Sequence, residues 1–110
     1  MPEPTLPQVF GDNATQTSDQ IAISKDDLEN VGLTVDSENS AESLLTAILL
    51  RAANYLTPDN QENVDSDIQL TVEREEDSIL TRNDIRYRQH TFIVNLQKPE
   101  PIQPINPDEF

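Results

Sequence analysis

The chain has no cysteine and no tryptophan, and only one histidine and two glycines in 110 residues. Without cysteine, disulfide scaffolds and thiolate-bound zinc or iron–sulfur sites are excluded. One histidine cannot build a multi-histidine metal site, and two glycines cannot supply a phosphate-cradling loop. The apolar run at residues 47–50 ends at Arg51, far short of the roughly 20 apolar residues of a membrane span. Nothing at the start resembles a secretion signal. We therefore expect a soluble cytoplasmic-type protein with no metal, no cofactor and no membrane partner.

Basic residues are scarce and unevenly placed. The chain has 21 Asp and Glu against 7 Lys and Arg, a net charge of −14. Residues 1–73 carry −12, residues 74–98 carry +1 and residues 99–110 carry −3. An acidic surface repels nucleic acid and anionic lipid. We expect a binding protein rather than an enzyme, with no direct nucleic-acid contact and no small-molecule substrate.

Seven of the eight prolines lie near the two ends of the chain. Proline favours extended backbone, so the sequence predicts an extended N-terminal arm at 1–20 and an extended C-terminal arm at 99–110 around a domain at 21–98. Apolar residues in both arms favour contact with neighbouring subunits: Leu6, Val9, Phe10, Ile102, Ile105 and Phe110. The alternative is a pair of disordered tails, which are common at chain ends.

A short helix is predicted at 25–31. Ser24 and Asp27 have capping-box spacing, and Gly32 stands where a helix favours a left-handed residue at its end. A short extended stretch at 33–35 should follow.

The main helix is predicted to begin after Asn39 or Ser40 and to end before Pro58. Its apolar stripe, which includes Leu50, covers most of the circumference, and such a helix is usually buried on more than one side. The cover comes either from a second subunit or from the hairpin and arms of the same chain.

Two strands, near 68–73 and 92–96, alternate apolar and polar residues and predict a long antiparallel hairpin. The predicted register sets residue 68 opposite 96, 70 opposite 94 and 72 opposite 92, then 74 opposite 90 and 76 opposite 88. The turn falls at 80–84, where Asn83 and Asp84 tolerate left-handed backbone. The predicted fold class is α+β, with one main helix packed on this hairpin and a short extra helix and strand.

The end of the hairpin carries Arg82, Arg86 and Arg88, with His90 on the same strand face as the last two. Three interpretations compete: a nucleic-acid patch, cross-strand pairing with Glu76, and docking on the acidic half of a neighbouring copy. A cross-strand role suits His90 better than a catalytic one, since no nucleophile motif accompanies it. No catalytic residue is predicted.

Extended apolar arms, a nearly all-apolar helix and a charged hairpin together resemble the small structural proteins of tailed-phage virions. The segments that carry the resemblance are 41–56, 67–73, 87–94 and 105–109. The resemblance implies a copy packed among others in a tail, neck or capsid, and it implies no active site.

The sequence therefore favours a non-enzymatic structural subunit of a large assembly, located in a virion. Its expected partners are copies of itself and other structural proteins. The candidate interface residues are Leu6, Val9, Phe10, Leu50, Arg82, Arg86, Arg88, Ile102, Ile105 and Phe110. The alternative is an acidic DNA-mimic inhibitor of a nucleic-acid-binding enzyme, in which the net charge of −14 is itself the functional feature.

Overall fold

The computed structural model describes residues 3–99 and 104–110. Its main helix, α2, spans Ala41–Tyr55. Ser40 is the N-cap, and its hydroxyl accepts a 3.0 Å hydrogen bond from the backbone N–H of Ser43. About 34% of the residues that the structure describes are helical and about 23% lie in antiparallel strands, so the fold class is α+β, as predicted.

The core lies between α2 and the start of the hairpin. Ala52 and Leu56 of the helix end pack against Ile68 and Val72. The helix also contacts the N-terminal helix and the 3₁₀ helix near residue 28, so the same chain covers most of its apolar surface. Among the large apolar side chains of α2, Leu45 is the exception, since 61% of it is exposed.

The hairpin consists of two separate two-stranded parts. Its base pairs β3 (Leu70–Arg74) with β6 (Phe92–Leu96), and its tip pairs β4 (Ser78–Arg82) with β5 (Ile85–Gln89). Both parts are antiparallel, as predicted.

The predicted register is wrong. In the base, Leu70 lies opposite Leu96 and Val72 opposite Val94, a shift of two residues from the prediction. A shift of two keeps every side chain on the same face of a strand, so the apolar pattern does not distinguish the two registers. In the tip, Arg82 lies opposite Ile85, which leaves a two-residue turn.

The turn and the core set the register of the two parts separately. Asn83 and Asp84 have φ values of 53° and 64°, as a two-residue hairpin turn of type I′ requires. Ile68 lies outside the ladder, buried against α2. Between the two parts, residues 75–77 face only residues 90–91, and this one-residue mismatch separates the sheets.

The N-terminal segment is folded rather than extended over residues 6–10, so the predicted arm is wrong there. Helix α1 (Leu6–Phe10) begins with a capping box between Thr5 and Gln8. The Arg51 guanidinium donates to the backbone carbonyls of Pro7 at 3.0 Å and Gln8 at 2.8 Å, and these bonds hold α1 against α2. Beyond it, β1 (Thr15–Gln16) pairs with β2 (Ile21–Ala22).

The 3₁₀ helix η1 (Lys25–Val31) coincides with the predicted short helix, and Gly32 ends it in the left-handed region. The capping role predicted for Asp27 is wrong. Its carboxylate instead accepts bonds from the Asn13 backbone N–H at 2.8 Å and side-chain amide at 3.0 Å. The strand predicted at 33–35 does not form in this described part of the chain, and α3 (Pro58–Glu62) follows α2.

The molecule is elongated. Its principal extents are 48 × 33 × 25 Å and its radius of gyration is 16.3 Å, against about 13 Å for a compact domain of this length. The hairpin tip contributes to this shape, because its main contacts are between its own two strands.

Candidate protein-interaction site

The hairpin tip, residues 78–89, is exposed at every position. Cross-strand pairing places Leu80 beside Tyr87, with Ile85 on the same face, and each of these side chains is at least 38% exposed. The Arg82 guanidinium lies 4.5 Å from the centre of the Tyr87 ring on that face. We call this surface the apolar tip face.

The opposite face of the tip is cationic. Arg86 and Arg88 lie there with Thr81 and Ile79, since each shares its face with the residue directly across the ladder. A two-stranded hairpin with both faces in solvent is marginally stable by itself. The tip therefore exposes an apolar face and a charged face to solvent.

Asp77 organises the junction between the tip and the base. Its Oδ1 lies 2.8 Å from His90 Nδ1 and 3.2 Å from Arg74 Nη2, and its Oδ2 lies 3.8 Å from Arg88 Nη1. His90 Nδ1 also lies 2.7 Å from Arg74 Nη2. Because one ring nitrogen cannot donate to Asp77 and accept from Arg74 at once, the tautomer of His90 decides which bond forms.

The contacts of Asp77 in this cluster lower its pKa below the ordinary value of 3.8. The hydrogen bond from His90 is the largest cause, desolvation opposes it, and the charge of His90 and the contact with Arg74 lower the pKa further. The predicted pairing of Arg74 with His90 is wrong, because Arg74 lies opposite Phe92 in the ladder, although the Arg74 and His90 side chains are in contact. The predicted pairing of Arg88 with Glu76 is wrong, because Arg88 lies opposite Ile79 and contacts Asp77.

An apolar groove of about 440 Å³ opens between α1, α2 and the base of the hairpin. We call it the α1–α2 groove. Glu3 and Asp67 are the acidic residues that line it. Its apolar walls include Leu6, Val9, Phe10, Leu49, Leu70, Val94 and Phe110.

Seven of the ten predicted interface residues lie in three places. The three arginines lie on the tip, whereas Leu6, Val9 and Phe10 pack on the body of their own chain and line the α1–α2 groove. Leu50 is half-buried beside Val31 and Leu33. Their role at an interface stays a prediction.

The C-terminal segment lies beside the groove. The predicted extended arm is wrong at Pro107–Glu109, which forms the short 3₁₀ helix η2. Ile105 is 77% exposed, and the Phe110 ring lies 5.3 Å from Lys98 Nζ at the groove. Ile102 lies outside the described residues.

Sequence reasoning missed the groove and the role of Asp77. The groove needs α1, which the prolines concealed, although Thr5 and Gln8 carried the capping-box signal. The one-residue mismatch between the tip and the base of the hairpin brings Asp77 to its partners. A two-residue turn at Asn83–Asp84, which sets the register of the tip, would have indicated this mismatch.

Within residues 3–99 and 104–110, no cluster of three or more histidine or carboxylate side chains is arranged to hold a metal ion. In the same described part, every helix is too short or too polar to cross a membrane. The chain matches no protein-family model, no curated protein and no solved structure.

Proposed function

We propose that this protein is a non-enzymatic structural subunit of a large assembly of the kind found in tailed-phage virions, in a tail, neck or capsid. The observation that carries the proposal is the hairpin tip, a protruding element whose apolar and cationic faces are both exposed. Such an element serves contact with neighbours rather than the stability of its own chain. The C-terminal segment, with exposed Ile105, offers a second contact.

The exposed area supports this proposal. The chain exposes 8431 Å², about 2,300 Å² more than the roughly 6,100 Å² typical of a monomer of its mass. The six residues outside the described ranges would expose only about 1,000 Å² even if fully extended, so most of the difference belongs to the described part. A stable interface needs about 800 Å² from each partner.

The experiment is to follow the native protein through a density gradient of material from its source, with an antibody to the chain. We expect it to sediment with large particles and to be located on them by immunogold electron microscopy. A protein recovered only as a free species of its own 12.4 kDa mass would contradict the proposal.

Replacing Arg86 and Arg88 with Glu supplies the matched variant for the same gradient. We expect a smaller fraction of this variant in the particles, because a cationic docking face becomes anionic. Replacing Lys25, which lies on η1 away from the tip, with Glu is the control, and we expect it to stay with the particles.

A further inference from the structure

The apolar tip face and the α1–α2 groove are two separate surfaces on one molecule. We propose that the tip of one copy docks in the groove of a second copy of this chain, in a head-to-tail contact. This inference rests on the proposed structural role and names the partner of the tip.

The two surfaces match in chemistry. Leu80 and Tyr87 stand side by side on the tip, and Ile85 continues their apolar face. The groove offers about 440 Å³ with mostly apolar walls, formed by side chains such as Leu49, Leu70 and Val94. A single copy leaves these apolar groups exposed to water, and docking would bury them. Burial of apolar surface is the main driving force of association.

Their charges are complementary. The tip carries three arginines and one aspartate, a net charge of +2, so the other 98 residues of the chain carry −16. Arg82 lies beside Tyr87 on the apolar tip face, and the groove is lined by Glu3 and Asp67. A copy that inserts Tyr87 therefore brings a cation to an acidic site. The same charges disfavour nucleic acid as the occupant of the groove, because the groove would repel phosphate.

The tip cannot fill the groove of its own chain. Strands rise about 3.3 Å per residue, so Leu80 lies up to roughly 27 Å along the hairpin from Val72, which lines the groove. The contact must be made between copies, and a pair joined by one such contact keeps one free tip and one free groove. Head-to-tail contacts of this kind close into rings or extend into filaments.

The experiment is a complementation test with purified full-length chains, using sedimentation velocity over a range of concentrations. The tip variant carries Leu80→Thr and Tyr87→Thr, which retain β-propensity. The groove variant carries Val94→Lys at a position 45% exposed in the single copy. The control is Ile21→Thr in β2, which removes a side chain that is 65% exposed and lies outside both the tip and the groove.

We expect the unmodified chain and the Ile21→Thr control to associate alike. The tip variant and the groove variant alone should each associate at least about tenfold more weakly, as expected for the loss of central contacts. Mixing them should restore a one-to-one dimer that does not grow further, because only one intact tip and one intact groove remain. Circular dichroism and urea unfolding check that both variants are folded.

Three results would overturn the inference. They are an unmodified chain that stays monomeric at high concentration, a tip variant that associates like the control, and a mixture that stays monomeric. A small hydrophobic molecule retained by the purified chain in native mass spectrometry, in place of a second copy, would overturn it too. None of these results decides the proposed function, which depends on the particle gradient.

Discussion

At the scale of single residues, Gly11 and Asp27 join the N-terminal segment to η1. Gly11 has φ 119° and ψ 155°, a combination that glycine alone adopts without strain. A Cβ at Gly11 would lie 2.5 Å from the Asp27 Cβ. This close approach lets the Asp27 carboxylate accept both hydrogen bonds from Asn13.

We therefore expect Gly11→Ala to lower the free energy of unfolding by about 1–3 kcal/mol, through backbone strain and the displaced Asp27. Urea unfolding followed by circular dichroism measures the loss. The matched control is Gly32→Ala, since Gly32 also has a positive φ but nothing lies within 4 Å of an added Cβ. If the two variants lose the same free energy of unfolding, the close approach of Gly11 to Asp27 contributes nothing to the loss and the expectation is wrong.

The lowered pKa of Asp77 predicts that acid destabilises the junction between the tip and the base of the hairpin. Because its pKa is lower in the folded chain than its ordinary value of 3.8, its stabilising contribution is complete above that pH. The contribution is lost as the pH falls through the lower folded value. We expect NMR of the Asp77 carboxyl carbon to show a midpoint below 3.8.

The Asp77→Asn variant should lose this acid dependence at the amides of residues 74–78 and 88–91. Asp65→Asn, in the exposed loop after α3, is the control and should titrate at those amides like the unmodified chain. A midpoint at or above the ordinary value would contradict the ion-pair geometry at the junction.

At the scale of secondary-structure elements, the turn holds the tip together. Asn83 and Asp84 both have positive φ, where a side chain with a Cβ is disfavoured and asparagine and aspartate are tolerated best after glycine. We expect Asn83→Ala to weaken the tip by about 1 kcal/mol. Asp84→Gly should strengthen it, since Asn–Gly is a favoured type I′ turn.

Hydrogen exchange at the amides of β4 and β5 measures both effects. Exchange should be faster in Asn83→Ala and slower in Asp84→Gly, while the amides of α2 stay unchanged as the internal reference. The same exchange rate in both variants would contradict the two-residue turn.

The elements differ in how far the sequence predicts them. Helix α2 was predicted to within a residue at its start, because the Ser40 cap and the apolar stripe indicate the same boundary. Helix α1 departs from the predicted extended arm because proline favours extended backbone but is also favoured in a first helical turn. The exposed arginines of the tip could be predicted from spacing, whereas the groove arises only where α1, α2 and β3 meet.

At the scale of the whole molecule, the core and most of the exposed apolar side chains lie in different parts of the chain. The core is a small cluster around Ala52, Leu56, Ile68 and Val72. The tip and the C-terminal segment lie outside this cluster and leave large side chains in solvent. Changes in these outer parts should therefore alter association without unfolding the body.

Deletion of residues 104–110 tests this separation. We expect the free energy of unfolding to change by less than about 1 kcal/mol, because Ile105 is 77% exposed and surface changes away from buried groups are usually small. The fraction of the protein in particles, measured on the density gradient, should fall.

A variant with Ile105→Ser and Phe110→Ser keeps the length and charge of the segment, so it shows whether the two apolar side chains account for that fall. If the deletion unfolds the body, or if the shortened chain enters particles as well as the unmodified one, the C-terminal segment is not an assembly element.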